Sequence, residues 1–264
     1  MNGQRHPART GDGRDSVEEA YRIFGEASHQ MQAQMRQWSV AVVTVLATVW
    51  LAACSGASAP RSAGEAAREA APVATRSAAV RVVALGDSLT AGLGLDATQA
   101  YPSLLEARLR ESGLAAEVVN AGVSGDTSAG GLRRVDWALE GDVRVLIVAL
   151  GANDALRGLP VADLKRNLAG IIARAQTRGA TVVLAGMEAP PNMGPAYTAA
   201  LRGAFRELAA EHRVALLPFL LDGVAGDPAL NQSDGIHPNA EGARKVADNL
   251  WPLVEQAVRA SRPR

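Results

Sequence analysis

From Val80 onward the chain alternates between short apolar runs and longer stretches of helical period. Val80 to Leu85 (V-R-V-V-A-L), Ala116 to Asn120, Val143 to Leu150 (V-R-V-L-I-V-A-L), Ala180 to Ala185 and Val214 to Leu217 predict five strands. Nearly continuous apolar strands indicate a sheet buried on both faces, hence a mainly parallel one. Between them, Gln99 to Ser112, Ser128 to Leu139, Val161 to Arg178, Pro195 to His212 and Ala240 to Ala260 predict helices. Leu164, Leu168, Ile171 and Ile172 fall on one helical face. This alternation predicts an α/β fold: a three-layer α/β/α sandwich around a five-stranded, mainly parallel sheet with right-handed crossovers.

The N-terminal third follows a different pattern. Residues 1–37 are polar and turn-rich, with five basic and five acidic residues and no strand pattern. Trp38 to Ala53 is then free of charge for sixteen residues. That is short for a membrane-spanning helix, which needs about 20 apolar residues, and suits the apolar region of a secretory signal flanked by Arg36. The run ends in Leu51-Ala52-Ala53-Cys54, which resembles a bacterial lipobox, with Cys54 as the lipidated residue. The alternative is a buried apolar helix with an inert thiol. The 37 residues ahead of the apolar run are long for a signal peptide; either an over-extended gene start or a cytoplasmic tail accounts for them. Residues 55–79 are rich in Ala, Ser, Gly, Arg and Pro, lack the large apolar side chains a core needs, and read as a flexible tether to a domain at 80–264. The expected location is therefore the bacterial cell envelope, as a periplasm-facing lipoprotein held to a membrane through Cys54. Ser55 after the cysteine favours the outer membrane over the inner.

Composition narrows the chemistry. Lys+Arg and Asp+Glu are both 27, so there is no basic surplus to suggest a nucleic-acid partner. A single cysteine excludes an internal disulfide and a Cys-rich zinc site. A nucleotide-binding reading lacks a G-x-G-x-x-G or P-loop after the first strand.

In a parallel sheet, sites form at the carboxyl ends of the strands, so the residues following each strand carry the argument. The first strand runs into Gly86-Asp87-Ser88-Leu89. A serine at such a turn presents its hydroxyl and N–H near a helix N-terminus, although Asp87 or Ser88 could equally be a helix cap. The second runs into Asn120-Ala121-Gly122-Val123-Ser124-Gly125-Asp126-Thr127-Ser128, where Gly125 lets a backbone N–H approach a ligand. The third runs into Gly151-Ala152-Asn153-Asp154, where an amide could donate to an oxyanion or merely make a turn. Near the C-terminus stands Ser233-Asp234-Gly235-Ile236-His237-Pro238-Asn239. Of the two histidines beyond the signal, His212 sits at a polar helix end, whereas His237 has a carboxylate three residues back.

Taken together and in order, these segments resemble the blocks of the SGNH (GDSL-type) hydrolase superfamily, over about Ala79 to Val258. The similarity is greatest to the bacterial thioesterase I/lysophospholipase/arylesterase group. The resemblance implies a flavodoxin-like fold, with Ser88 as nucleophile, His237 as general base and Asp234 as its orienting acid. The Ser88 N–H, the Gly125 N–H and the Asn153 side chain would form the oxyanion hole. Ala152 departs from the group, much of which has a second glycine there. Leu156, Leu159, Pro190 and Met193 are candidate substrate-contacting residues, and Ala155 to Leu159 resembles a mobile substrate-side loop. The function implied is a lipid-anchored serine esterase or thioesterase acting on aryl esters, acyl thioesters or lysophospholipids through an acyl-serine intermediate. No metal or organic cofactor is implied, and a monomer is expected. Alternatives are a carbohydrate O-deacetylase of the same superfamily, which the scarcity of aromatic residues disfavours, and a catalytically silent envelope lipoprotein.

Overall fold

A computed structural model describes residues 79–261. The signal, lipobox and tether expectations, including Cys54, lie outside the described residues. Five strands form one sheet in the order β2-β1-β3-β4-β5: β1 is Val80–Gly86, β2 Ala116–Gly122, β3 Val143–Ala149, β4 Thr181–Ala185 and β5 Ala215–Leu217. Every pairing is parallel, so the sheet is more regular than the mainly parallel one expected.

Burial follows strand position. β1 and β3 lie at the centre and bury every residue but Arg81 and Arg144, as their otherwise apolar runs require. β2 is an edge strand and buries only Val118 and Ala121. β5, the other edge, is three residues long, which limits the unpaired backbone it exposes.

Helices cover both faces. α1 is Ser88–Ala91, α2 Tyr101–Glu111, α3 Ser128–Ala138, α4 Ala152–Leu156, α5 Val161–Thr177, α6 Gly194–His212 and α7 Ala240–Ala260. α3, α5 and α6 pack in a row on one face; α2 and α7 pack together on the other. Leu164, Leu168, Ile171 and Ile172 of α5, with Leu201, Phe205 and Leu208 of α6, fill the first layer. Leu105 and Leu109 of α2, with Val246, Leu250, Val254 and Val258 of α7, fill the second. The five long helices fall within a few residues of their predicted spans. The largest difference is at α2, where a 3-10 turn at Ala97–Gln99 takes up the start and Pro102 sits in the first helical turn.

α4 was not expected as a helix, and α1 was expected only as a helix start that Asp87 or Ser88 would cap, the cap being Asp87. Each is a single turn placed directly after a central strand, too short to show a helical period. α1 is wedged against β2, and the wedge depends on Gly122. A Cβ there would lie 2.2 Å from the Ala91 nitrogen and 2.8 Å from the Asp87 carbonyl oxygen. Both are backbone atoms and cannot rotate away. Gly122→Ala should therefore destabilise the fold by about 1–3 kcal/mol and displace the α1 turn. Gly203→Ala, in a helix with only the end of the Glu207 side chain near, should stabilise it by about 0.5–1 kcal/mol. Paired thermal or urea melts check both, and a Gly122→Ala protein as stable as the parent contradicts the wedge.

Candidate active site

The sheet order places a reversal between β1 and β3: the chain leaves β1 toward β2 on one side, then builds β3, β4 and β5 on the other. The crevice above such a reversal is where open α/β sheets hold their ligands. Ser88 opens α1 after β1, Gly125 lies in the loop after β2, and Asn153 lies in α4 after β3. All three border one cavity of about 300 Å³, together with His237.

Ser88 is held by its neighbour. Asp87 is the N-cap of α1, and its Oδ1 accepts the Leu89 N–H at 3.0 Å. The Ser88 Oγ faces His237 Nε2 at 2.9 Å, across 149 residues of sequence. On the other side of the ring, Nδ1 lies 2.6 Å from Asp234 Oδ2. The second oxygen of Asp234 accepts the N–H groups of Ile236 and His237, both at 3.0 Å. Burial acts to raise the Asp234 carboxyl. The bonds from the His237 ring and from these two N–H groups outweigh it and hold the carboxyl below its ordinary range. The loop carrying both residues is pinned by Gln232, whose N–H donates to the His237 carbonyl at 2.8 Å and whose amide donates to the carbonyls of Leu93 and Pro238. His237 itself is buried.

Gly125 has φ +82°, a conformation most side chains resist, which turns the loop over the crevice. The Asn153 amide donates to the Asp126 carbonyl at 2.9 Å and approaches Asp87 Oδ2 at 3.4 Å. Asp154, next in sequence, is occupied elsewhere. Its two oxygens accept the Ser128 hydroxyl at 2.6 Å and the Ser128 N–H at 2.8 Å, stapling α4 to the start of α3.

The rest of the cavity is apolar. Leu89, Leu93, Leu156, Met187, Pro190, Phe219, Leu221, Ala225 and Ile236 line it, with Arg157 and Glu188 as the charged exceptions. Glu188 is engaged by the Arg202 guanidinium through both oxygens, at 2.8 and 2.6 Å. Arg157 donates to the Gly125 carbonyl at 2.8 Å.

Of the four residues expected to contact substrate, Leu156 and Pro190 border the cavity, and Leu159 and Met193 do not. The Leu159 carbonyl accepts the Tyr197 hydroxyl at 2.8 Å, which ties that segment to α6. Met193 lies in a 3-10 turn and packs half-buried against the core, its tip over Gly158. Met187 and Phe219 supply walls that the motifs did not single out. His212 ends α6 ahead of β5, at the opposite end of the strands from Ser88.

Beneath the nucleophile turn lies a buried polar group. Asp87 is fully buried, and burial pushes its carboxyl up from 3.8 to about 7 against the hydrogen bonds it accepts. The sign follows from linkage. The folded state binds this proton more tightly than the unfolded chain, so Asp87 contributes stability that is lost as pH rises from about 4 to about 7. Asp87→Asn keeps an oxygen for the Leu89 N–H and carries no charge. Its melting temperature relative to the parent should therefore rise between about pH 5 and about pH 8. A difference that stays constant across that range contradicts the buried, proton-holding carboxyl.

Comparison with known proteins fits this layout. A model of the GDSL-like lipase/acylhydrolase family matches residues 84–245. Esterase TesA of Pseudomonas aeruginosa is 42% identical over 181 residues, covering 68% of this chain and 90% of that protein. The thioesterase 1/protease 1/lysophospholipase L1 of Escherichia coli K12 is 37% identical over 182 residues, covering 67% and 86%. The crystal structure of TesA superposes with a TM-score of 0.65 at 42% identity, over 67% of this chain and 99% of that one. The psychrotrophic esterase EstA from Pseudoalteromonas does so with 0.64 at 30% identity, over 68% and 98%. With its segments in family order at the strand ends and relatives matched over nearly their whole length, the chain belongs to the GDSL-like lipase/acylhydrolase family, as an SGNH-type ester hydrolase.

Proposed function

We propose that the domain hydrolyses acyl esters or thioesters through an acyl-enzyme on Ser88. The observation that carries this reading is the Ser88–His237–Asp234 relay at 2.9 and 2.6 Å, opening into an apolar cavity. Ser88 Oγ attacks the substrate carbonyl carbon and its proton passes to His237 Nε2. Asp234 holds the Nδ1–H and favours the imidazolium that forms. The carbonyl oxygen becomes an oxyanion, which accepts from the Ser88 and Gly125 N–H groups and from Asn153 Nδ2. Collapse expels the alcohol or thiol, which takes the proton from His237. Water then repeats the sequence on the acyl-serine and releases the acid. No step calls for a metal or an organic cofactor.

The walls support an acyl or aryl group over a sugar. Leu156, Met187, Pro190 and Leu221 offer no polar partner for hydroxyls, and Phe219 is the one aromatic ring among them. The names of the relatives, esterase, arylesterase and thioesterase/lysophospholipase, point the same way. The reading extends to location: Cys54 carries the lipid, residues 55–79 form the tether, and a monomeric domain works at the periplasmic face of the envelope, on the outer membrane. What supports this is the charge-free run ending at Leu51-Ala52-Ala53-Cys54.

Ser88→Ala should lower turnover of p-nitrophenyl esters by about 10³-fold or more while the protein stays folded, and should abolish labelling by a fluorophosphonate. His237→Ala should remove most activity, whereas His212→Ala should leave both the rate and its pH dependence unchanged. A folded Ser88→Ala protein with near-normal turnover, or a loss that follows His212 instead, overturns the assignment. For the anchor, Cys54→Ser should move the full-length protein from the membrane to the soluble fraction or block its processing. A mature protein that begins at Met1 without lipid contradicts it.

A further inference from the structure

No motif singles out Arg134. It lies on α3, and its guanidinium reaches back across the carboxyl ends of β1 and β2. Nη1 donates to the Ala121 carbonyl at 2.6 Å, Nη2 to the Gly86 carbonyl at 2.7 Å, and Nε to Asp126 Oδ2 at 2.6 Å. The two side chains are largely shielded, 18% and 15% exposed, so water competes weakly for these bonds.

Each acceptor belongs to a segment that carries part of the site. Gly86 is the last residue of β1, immediately before Asp87-Ser88, and its carbonyl also accepts the Val123 N–H at 3.0 Å. Ala121 lies at the end of β2. Asp126 follows Gly125 and closes the turn by donating its N–H to the Val123 carbonyl at 3.0 Å. The Asp126 carbonyl is in turn the acceptor that holds the Asn153 amide at 2.9 Å. One planar group therefore ties the nucleophile strand to the turn that bears Gly125 and orients Asn153.

We propose that Arg134 is a positioning residue for the oxyanion hole: through Asp126 it sets where the Gly125 N–H and the Asn153 amide point. The inference rests on the hydrolase reading above. Arginine suits the task because its fork offers several donors in fixed directions. Lysine keeps the charge, but its three donors radiate from one nitrogen on a flexible stem and do not match two carbonyls and a carboxylate spread around a planar fork. The requirement is geometric. Donors act on the oxyanion only when placed within about 0.5 Å of their productive positions, and besides Arg134 the turn is held by Arg157 on the Gly125 carbonyl at 2.8 Å. Arg134 is the partner of the Asp126 side chain; the backbone of Asp126 is tied by its N–H to Val123 and by its carbonyl to Asn153.

The test is a cycle of Arg134→Lys, Asn153→Ala and the double variant, with Ser88→Ala as the reference for loss of chemistry. Readouts are melting temperature, kcat and KM on p-nitrophenyl butyrate, and the inhibition constant of phenylboronic acid, which mimics the tetrahedral intermediate. Arg134→Lys should lower kcat by about 10- to 100-fold, leave KM within about twofold, and weaken the boronate by the same factor as kcat/KM. In the Asn153→Ala background the same substitution should cost less than about a third of that factor, because one donor it positions is gone. A folded Arg134→Lys enzyme with parental kcat, a loss confined to KM, or equal losses in both backgrounds overturns the inference. If Arg134→Lys does not fold, Asp126→Ala decides. It cuts the link to the turn while sparing the two carbonyl bonds, and it should show the same kcat-selective, non-additive loss; a parental kcat there is also a refutation. If Ser88→Ala and Asn153→Ala themselves retain turnover, it is the hydrolase reading that fails, whatever Arg134 does.

Discussion

An oxyanion in a shielded cavity needs several donors aimed at one point, and the proposed mechanism draws those donors from three separate strand ends. That mechanism depends on their convergence. The reversal in strand order between β1 and β3 opens a crevice where Ser88, Gly125 and Asn153 border the same space. None of the three is near another in sequence, so their alignment is a property of strand register. β1 pairs with β2 and with β3 up to their last residues, Gly86 opposite Gly122 and Gly86 opposite Ala149. The three loops therefore leave the sheet at one level.

Polar groups below that level hold the loops. Asp87, Asp154 and Ser128 are buried, and each is tied to a different segment's start. Buried carboxyl groups are costly unless they are hydrogen-bonded. Here that cost is accepted at the site and offset by the central strands, whose residues from Val82 to Leu85 and Val145 to Ala149 are nearly free of solvent contact. The cavity above is the converse. Most of its walls are side chains that offer a substrate's acyl part no hydrogen bond, and the two charged ones, Arg157 and Glu188, are engaged with the Gly125 carbonyl and the Arg202 guanidinium.

Much of this was legible in the sequence. Nearly continuous apolar runs pointed to a sheet buried on both faces, which β1 and β3 realise at its centre, and the mixed pattern of Ala116–Gly122 suits the edge position β2 takes. The segments after the strands were legible because their residue types are unusual in combination, Ser88 and His237 above all. Other features were fainter. α1 and α4 are single turns, too brief for a period to show, and only the Asp87-Ser88 cap signal marked the start of α1. Leu159 and Met193 have the side chains of pocket residues, and only the Tyr197 bond and the packing over Gly158 place them outside. Arg134, on α3, and Arg157, just after α4, look like ordinary surface arginines in the sequence. What sets them apart is which carbonyls they reach, and those contacts span 48 and 32 residues of sequence.

The central claim is that Ser88, Gly125 and Asn153 converge on one oxygen. A crystal structure of the protein inhibited by a monoalkyl phosphonate tests it directly, since the adduct on Ser88 fixes a tetrahedral oxygen where the oxyanion would form. The account predicts that this oxygen lies about 2.7–3.1 Å from the Ser88 nitrogen, the Gly125 nitrogen and Asn153 Nδ2. An adduct on another residue, or a phosphonyl oxygen turned to solvent with Asn153 out of reach, would contradict it.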